Sequence, residues 1–227
     1  MTRPLLPGVD TASAWSREFA RVVSCSSCVA FRTGGLLRDD EENVPQPGYI
    51  GIRYWAKRVL LVGQNPAVAP DRLAAQDRPY IAGLRKLRDE PTPENFALLH
   101  SILTKFIPRW PIHGGYFPLT ECGLDLDEIA YCNLVRCRTV ENRAPAQRVA
   151  NNCSEIHFDR WLELLQPCVV VFIGKWAHDR GMPRVTCRRI PFAFMNRQRS
   201  LSTEDRLRNR NTVVELVRTA IKKAGLR

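Results

Sequence analysis

The sequence lacks long runs of apolar residues. Met1 to Asp10 contain no apolar stretch like that of a secretory signal, and a run such as Val169–Ile173 is too short to span a bilayer. These absences argue against a membrane partner and make a cytoplasmic protein the expectation. Internal repeats and long low-complexity segments are also absent. We therefore expect one domain over residues 1–227, a length that allows a sizeable core.

Acidic residues are few relative to basic ones. The chain has 34 Lys and Arg against 23 Asp and Glu, which gives a formal net charge of +11 and a pI near 9.6. An excess of this kind suits a polyanionic partner, because neutralised phosphates release their condensed counterions. The segment from Arg184 to Arg210 contains eight arginines and only two acidic residues. We expect nucleic-acid contact along this segment, with a solvated basic face as the alternative.

Short apolar runs alternate with helical patterns along the chain. Buried strands are expected at Arg58–Val62, Ile129–Val135, Val169–Ile173 and Val185–Ile190. Helices are expected at Asp10–Val23, from the cap Thr92 and Pro93 onward, at Pro145–Leu165 and at Ser202–Ala224. This alternation predicts an α/β fold with a central, mostly parallel four-stranded sheet flanked by helices. Ligands of such sheets bind outside the carboxyl ends of the strands, here after Val62, at Asn133 and after Phe194.

Eight cysteines without an export signal do not indicate a disulfide framework. Cys25 and Cys28 form a CxxC pair, and fifteen residues separate Cys137 from Cys153. Four thiolates can hold an iron–sulfur cluster or a zinc ion, and the spacing alone leaves both open. The other four cysteines have no ligand spacing, and the two that lie in apolar strands are expected to be small core residues. These four are Cys122, Cys187 and the two strand residues, Cys132 and Cys168.

The segments around the spaced cysteines resemble the family-4 uracil-DNA glycosylases. That family has a CxxC near its N-terminus, a third Cys in a segment like KCRPPGNR and a fourth Cys fifteen residues beyond it. This chain has RCRTVENR from Arg136 to Arg143, and its WLELLQPCVVVFIG, from Trp161 to Gly174, resembles the family's LELLRPRVVVALG. The resemblance implies a uracil glycosylase fold, a monomer that acts on damaged or deaminated bases in DNA during base-excision repair, and a four-iron, four-sulfur (4Fe-4S) cluster. The implied cluster ligands are Cys25, Cys28, Cys137 and Cys153.

The segment VLLVGQNPA, from Val59 to Ala67, resembles the first motif of the uracil glycosylase superfamily, which lies against the sugar and the attacking water. Family-4 enzymes have GEAPG here and other classes have GQDPY or GINPG, whereas this chain has GQNPA without a carboxylate. The resemblance assigns Gly63 to the base pocket, and Gln64 and Asn65 to catalysis. An oxocarbenium-like transition state allows an amide oxygen to orient the water. Because an amide gives less electrostatic help than a carboxylate, we expect a slower enzyme than those with GQDPY.

Two further residues correspond to the family's base-binding positions. Asn133, in YCNLVRC, lies where the family's TNVVKCR has the Asn that reads uracil. A side-chain amide can accept from N3–H and donate to O4 of uracil, whereas cytosine presents the reverse pattern. The segment DRPYIAG, from Asp77 to Gly83, resembles GRPFVGRAG, in which a Phe stacks on the flipped base. Tyr80 occupies that position here, and its ring suits the same contact.

The family's last motif, HPS or HPA, has no counterpart with histidine in this chain. The family's histidine stabilises the departing uracil anion, but all four histidines of this chain lie in other segments. The corresponding stretch is FMNRQRS, from Phe194 to Ser200, which places Asn196 where the mismatch-specific class also has Asn. The resemblance assigns the next three residues to the loop that enters the duplex and contacts phosphates. They are Arg197, Gln198 and Arg199.

Four functions compete at this point. The first is hydrolysis of the N-glycosidic bond of uracil, or of a related deaminated base, in DNA. The second is a glycosylase for another base, such as hypoxanthine or mismatched thymine. The third is a nucleic-acid-binding protein that kept the fold and lost catalysis, which the missing histidine and carboxylate favour. The fourth is a zinc-stabilised domain without DNA chemistry. The resemblance makes the first our prediction.

Overall fold

Apolar strands form a central sheet in the computed structural model, which describes residues 9–28, 35–39, 41–67, 71–107, 117–196 and 200–226. The strands are β1 (Leu36–Leu37), β2 (Tyr49–Ile50), β3 (Val59–Gly63), β4 (Ile129–Asn133), β5 (Arg138–Thr139), β6 (Val169–Ile173) and β7 (Phe192–Met195). The central sheet has the order β2-β4-β3-β6-β7, in which the last four strands are parallel and β2 is antiparallel. The predicted α/β fold with a mostly parallel sheet is confirmed, and β2 adds a fifth, two-residue strand at one edge.

Helices cover both faces of this sheet. They are α1 (Val9–Val23), α2 (Tyr54–Lys57), α3 (Asp71–Asp89), α4 (Pro93–Phe106), α5 (Leu119–Cys122), α6 (Gln147–Cys153), α7 (Asp159–Leu165), α8 (Lys175–Cys187) and α9 (Thr203–Lys223). Side chains alternate along each strand, so Leu60 and Val62 share a core with α1, α3, α4, α7 and α8. Val59 and Leu61 share the other core with α5 and α9. None of the helices in the described ranges has the length and apolar character needed to cross a bilayer.

Local sequence signals explain where helices begin and where one is interrupted. Thr92 caps α4 by accepting a hydrogen bond from the Asn95 backbone N–H at 3.2 Å, and Pro93 is the first helical residue, as predicted. The helix predicted at Pro145–Leu165 is divided by a π-helical turn, Ser154–Phe158, between α6 and α7. Turns of this kind are uncommon and occur frequently at functional sites. This one directly follows Cys153, which the family resemblance implies as a cluster ligand.

The prediction of a strand at Val185–Ile190 is wrong. Val185 belongs to α8, where it shares the buried face with Ala177 and Gly181 at intervals of four residues. Glycine is needed there for close packing, because a Cβ at position 181 would lie 2.2 Å from the Phe172 ring. The last strand of the sheet is instead β7, which begins after a short turn. Val185 is thus part of a helical stripe, and Ile190 lies in the turn between α8 and β7.

A small ribbon lies beside the main sheet. β1 pairs antiparallel with β5, with Leu36 opposite Thr139 and Leu37 opposite Arg138. β1 follows the CxxC pair in the sequence, and β5 follows the third spaced cysteine directly. The ribbon therefore joins the N-terminal cysteine segment to the segment that leaves β4.

Candidate active site and cysteine cavity

Candidate site residues from neighbouring strands meet at one edge of the sheet. Because β3, β4, β6 and β7 are parallel, their carboxyl ends lie at the same edge, where such sheets bind ligands. Gly63 ends β3 opposite Asn133, which ends β4. Beyond the strands, Leu134 donates its backbone N–H to Gly63 O at 2.9 Å, and Val135 donates to Gln64 O at 3.0 Å. These hydrogen bonds hold the first motif against the segment after β4.

The side chain of Asn133 lies against Gly63. A Cβ on Gly63 would be 2.4 Å from Asn133 Oδ1 and 2.9 Å from the hydroxyl of Tyr131, so only glycine leaves room for both groups. The Tyr131 hydroxyl donates to Asn133 Oδ1 at 2.8 Å and so orients the amide. Sequence analysis missed Tyr131. Its signal is the spacing of two residues from Asn133, which puts both side chains on one face of β4.

Asn65 is held by hydrogen bonds on both sides of its amide. Its Nδ2 donates to Thr139 Oγ1 at 3.0 Å and to Pro66 O at 3.1 Å. Its Oδ1 accepts from Gln64 Nε2 at 3.0 Å. Thr139 donates its own hydroxyl to Arg143 O at 2.7 Å, which leaves its oxygen to accept from Asn65. The two hydrogens of the amide are thus engaged, and a carbonyl oxygen with two lone pairs can accept one further hydrogen bond.

Asn196 follows β7 at the same edge of the sheet. β6 lies between β3 and β7 in the sheet. Because neighbouring strands lie about 4.8 Å apart, the backbone of Asn196 is about 10 Å from the end of β3. Its backbone N–H donates to Asn209 Oδ1 at 2.9 Å, and Asn209 Nδ2 donates to Phe194 O at 2.8 Å. These two bonds anchor the end of β7 to α9. The predicted DNA-contacting residues, Arg197, Gln198 and Arg199, lie outside the described residues.

Tyr80 lies within α3 and is only 2% exposed. It belongs to the same core cluster as Leu84 and Leu99. Burial, and next the nearby carboxylate of Asp77, raise the pKa of its hydroxyl. Asp77 forms an ion pair with Arg138 and so ties α3 to β5. A flipped base can stack on the Tyr80 ring only if the residues that cover it move, and the stacking role stays a prediction.

The basic segment from Arg184 to Arg210 divides between the two edges of the sheet. β6 and β7 are parallel, so α8 between them runs in the opposite direction and ends at the edge away from the candidate site. At that far edge, Arg184 and Arg188 both pair with Asp159. α9 follows β7 and therefore begins near the site edge. Of the described part of this segment, the residues near the candidate site are those that follow β7.

All four predicted ligand cysteines line one small, enclosed cavity. Cys25 and Cys28 follow α1, Cys137 precedes β5, and Cys153 ends α6. The β1–β5 ribbon holds these segments next to one another. The rest of the cavity wall is made by Arg38, Pro45, Arg136, Asn152, Ile156 and His157. Among the described residues that line it there is no carboxylate.

Nitrogen donors point at two of these sulfurs. The backbone N–H of Arg136 donates to Cys153 Sγ at 3.3 Å, and Asn152 Nδ2 donates to Cys28 Sγ at 3.2 Å. Burial raises the pKa of Cys137 to about 12 and raises the pKa of Cys153 as well. Thiolates in this cavity therefore need a positively charged partner. Within the described ranges, no three His, Cys, Asp or Glu side chains surround a single metal-ion position.

Comparison with known proteins gives the family. The family model described as Uracil DNA glycosylase superfamily matches residues 53–219, more than half of the chain. The chain belongs to the uracil DNA glycosylase superfamily. The Type-4 uracil-DNA glycosylase of Sulfurisphaera tokodaii is 25% identical over 156 residues, which cover 68% of this chain and 51% of the relative. The chain thus spans about half the length of this curated relative.

The uracil DNA glycosylase superfamily match covers both ends of the candidate site. It contains the first motif from Gly63 to Asn65, the strand end at Asn133, and Asn196. It also contains Cys137 and Cys153 but begins after the CxxC pair. The predicted resemblance to the superfamily is therefore confirmed. The CxxC pair is connected to the other two cysteines by its place in their shared cavity.

Proposed function

We propose that this superfamily member is a DNA glycosylase that hydrolyses the N-glycosidic bond of uracil, or of a related deaminated base, in DNA. The products are the free base and an abasic site, as in the first step of base-excision repair. The observation that carries the proposal is a pair of oriented amides at the carboxyl edge of the parallel strands. Asn133 suits the edge of a base, and Asn65 suits a water molecule.

Asn133 is suited to read the hydrogen-bonding edge of uracil. Its Oδ1 accepts from Tyr131 and keeps a second lone pair for uracil N3–H, while Nδ2 can donate to O4. Cytosine requires the opposite arrangement, because it has an acceptor at N3 and donors at N4. Turning the amide to suit cytosine removes Oδ1 as the acceptor for the Tyr131 hydroxyl, which must then give up this donation and accept from Nδ2 instead. Tyr131 thereby adds to the discrimination against cytosine.

Asn65 is suited to position the attacking water. Gln64 and Thr139 orient its amide, and its oxygen can accept one water hydrogen. The glycosidic bond breaks through an oxocarbenium-like state, so attack can follow bond breaking. An amide does not take up the proton that the water loses. That proton passes to solvent or to the departing base, which explains our expectation of a slow enzyme.

Asn196 and the residues after it are suited to the leaving group and the phosphates. An amide N–H of Asn196 can donate to an oxygen of the departing uracil, where negative charge develops. Arg197, Gln198 and Arg199 follow directly and add positive charge and donors for phosphate oxygens. The anchor from Asn209 to the end of β7 keeps Asn196 at the site edge.

The four cavity cysteines are suited to a four-iron, four-sulfur cluster. A zinc ion gathers its thiolates around one position at about 2.3 Å, and the described residues offer no such grouping. In a four-iron cluster each thiolate binds its own iron, so the four sulfurs need not surround one position. The N–H donors at Cys28 and Cys153 suit an anionic group. When bound, the cluster would cross-link the segment after α1 to those after β4, and hydrolysis itself needs no electron transfer.

A panel of oligonucleotides tests the activity and the base choice. Single strands and duplexes that contain one uracil, one hypoxanthine or one mismatched thymine are incubated with the protein and then treated with alkali, which nicks abasic sites. We expect nicking of the uracil strands well above the others. Nicking only of the hypoxanthine strands, or only of the strands with a thymine mismatch, would identify that base as the substrate in place of uracil. Equal nicking of undamaged strands would point to contamination.

A binding protein without catalysis is the second candidate. Among the described residues, the hydrogen-bond partners of Asn65 and Asn133 are amide, hydroxyl and carbonyl groups, with no carboxylate to activate a water. This candidate predicts tight binding to uracil-containing or abasic DNA without nicking at any protein concentration. The same panel, read by a binding assay and by alkali treatment, separates it from the enzyme.

A further inference from the structure

Arg136 is a buried cation beside the cysteine cavity. It is 1% exposed, and its Nη1 donates to the backbone oxygen of Pro47. Within the described part of the chain its Nε and Nη2 have no oxygen acceptor, and the buried thiol of Cys132 is the group beside the guanidinium outside the cavity. The guanidinium carbon lies 4.5 Å from the ring centroid of Trp161. The side chain therefore lacks a described anionic partner and lines a cavity that four cysteines share.

A buried guanidinium without an anion is unfavourable. Contact with an aromatic face returns less free energy than removal of the charge from water costs. Other donors surround the same cavity. Neither ring nitrogen of His157, which is 1% exposed, has a described partner, and Arg38 donates from Nη1 to Cys25 O at 2.5 Å. With no described carboxylate in the lining, the cysteines are the groups that can carry negative charge there.

We infer that Arg136 is the buried counter-charge of the cluster, with Nε and Nη2 as the donors available to it. This inference rests on the cluster in the proposed function. Four thiolates outweigh the positive charge of an iron–sulfur core, so the bound group is an anion in an enclosed site. Arg136 directly precedes Cys137, and its backbone N–H already donates to Cys153 Sγ. One short segment thus supplies a ligand, a backbone donor and the compensating charge.

A role of Arg136 through its charge should affect the reduction potential of the cluster, whereas a role in packing alone should not. Reduction makes the cluster more negative, so a buried positive charge stabilises the reduced form more than the oxidised form. Loss of the charge should shift the reduction potential to more negative values. It should also weaken the hold on iron, since replacing groups that contact metal ligands typically costs on the order of 10- to 100-fold in affinity. Here the potential serves only as a probe of charge.

The test compares the wild-type protein with Arg136→Met, Arg136→Lys and the matched control Arg180→Met. The Arg180 guanidinium carbon lies 4.4 Å from the Trp176 ring centroid, but Arg180 does not line the cavity. Iron and sulfide content, cluster potential and the chelator concentration that removes half of the iron are measured. We expect a more negative potential for Arg136→Met and loss of its iron at roughly tenfold less chelator. Arg136→Lys and Arg180→Met should resemble the wild type.

The outcomes distinguish the counter-charge role of Arg136 from the proposed cluster and the proposed glycosylase activity. Arg136→Met with full iron content and an unshifted potential would overturn the counter-charge and leave the cluster in place. A wild-type protein without iron would overturn both, whatever the oligonucleotide panel shows. If Arg136→Met does not fold, Arg136→Gln, which is also uncharged, replaces it. If neither folds, Arg136→Lys decides, because full iron content supports the role of the charge and loss of iron overturns it.

Discussion

At the scale of single residues, we expect the choice of base to depend on the hydrogen bond from Tyr131 to Asn133. Tyr131→Phe keeps the ring but removes the donor that orients the amide. We expect the ratio of uracil to cytosine release to fall by up to about tenfold, the equivalent of one hydrogen bond. Asn133→Asp removes both amide donors, and we expect it to shift preference towards cytosine, which presents donors. Single-turnover rates on matched uracil and cytosine strands measure both effects.

Tyr49→Phe is the matched control for this prediction. The Tyr49 hydroxyl also makes one side-chain hydrogen bond, to Asp127 Oδ1 at 3.2 Å, but it belongs to β2 at the edge of the sheet. The control should leave the ratio of uracil to cytosine release unchanged. An equal change in both phenylalanine variants, or no change in Tyr131→Phe, would remove Tyr131 from base selection.

A role of Asn65 in base release can be distinguished from a role in DNA binding by measuring the release rate and the affinity for product DNA in the same variant. Asn65→Ala removes the oxygen that we propose to orient the water but leaves Asn133 and Gly63 in place. We expect the single-turnover rate of base release to fall on the order of 10²-fold or more. Affinity for a strand with an abasic site should stay within about twofold of wild type, since one positioned water contributes little to binding. A parallel loss of abasic-site affinity would mean that Asn65 supports the structure of the site.

Sequence motifs predicted which polar residues form the site better than they predicted the residues that contact them. Gly63, Asn65 and Asn133 were assigned from motif positions, and the structure brings them together. Arg136 lies in the segment RCRTVENR, but its role could not be predicted, because arginine is usually exposed and a sequence does not show burial. Tyr131 was missed because its role depends on a contact with Asn133 across Gly63.

At the scale of elements, the cluster would tie α1, α6 and the β1–β5 ribbon together. Cys137→Ala removes one proposed ligand and should cost iron and solubility together, because metal binding stabilises the folded arrangement of the segments that supply the ligands. The matched control is Cys187→Ala, because Cys187 is exposed and lies outside the cavity. Iron analysis and the yield of soluble protein measure the effect. Unchanged iron in Cys137→Ala would remove this cysteine from the ligand set.

Helices and strands that have a local sequence signal, such as a cap, were predicted. Those whose formation depends on packing against other elements were not. α4 was predicted from Thr92 and Pro93, which act within one turn of the helix. α3 was left unassigned because Pro79 and Gly83 are normally signs of a turn. In the structure Gly83 lets α3 approach α4, since a Cβ there would lie 3.2 Å from Leu99 Cδ1. A two-residue strand such as β2 is too short to show any periodicity.

At the scale of the whole molecule, the positive charge near the site edge should control DNA affinity. Replacing Arg197 and Arg199 with Ala should reduce the slope of log affinity against log salt by about 0.9 for each duplex phosphate that these side chains neutralise. Affinity should weaken similarly on all sequences, because phosphate contacts carry no base information. Titrations at several salt concentrations measure the slope.

Two cations at the far end of α9 give the matched control for charge. Arg218 and Lys222 lie beside a cleft near the C-terminal end of that helix, away from the site edge. Replacing both with Ala removes the same net charge and should leave the slope nearly unchanged. A similar loss of slope in both double variants would mean that net charge, and not a defined DNA path, sets the affinity. The division of charge between the edges was not readable from the sequence, because it depends on the direction of α8 and α9.

We expect two oriented amides, with no carboxylate or histidine among their described hydrogen-bond partners, to support hydrolysis of the glycosidic bond. The most direct measurement is the free uracil released from a uracil-containing strand by the wild-type protein and by Asn65→Asp. We expect the wild type to release uracil in amounts equal to the abasic sites formed. Asn65→Asp restores a carboxylate and should release it at least as fast. Release of no base by either protein would contradict the claim and leave a fold that serves binding alone.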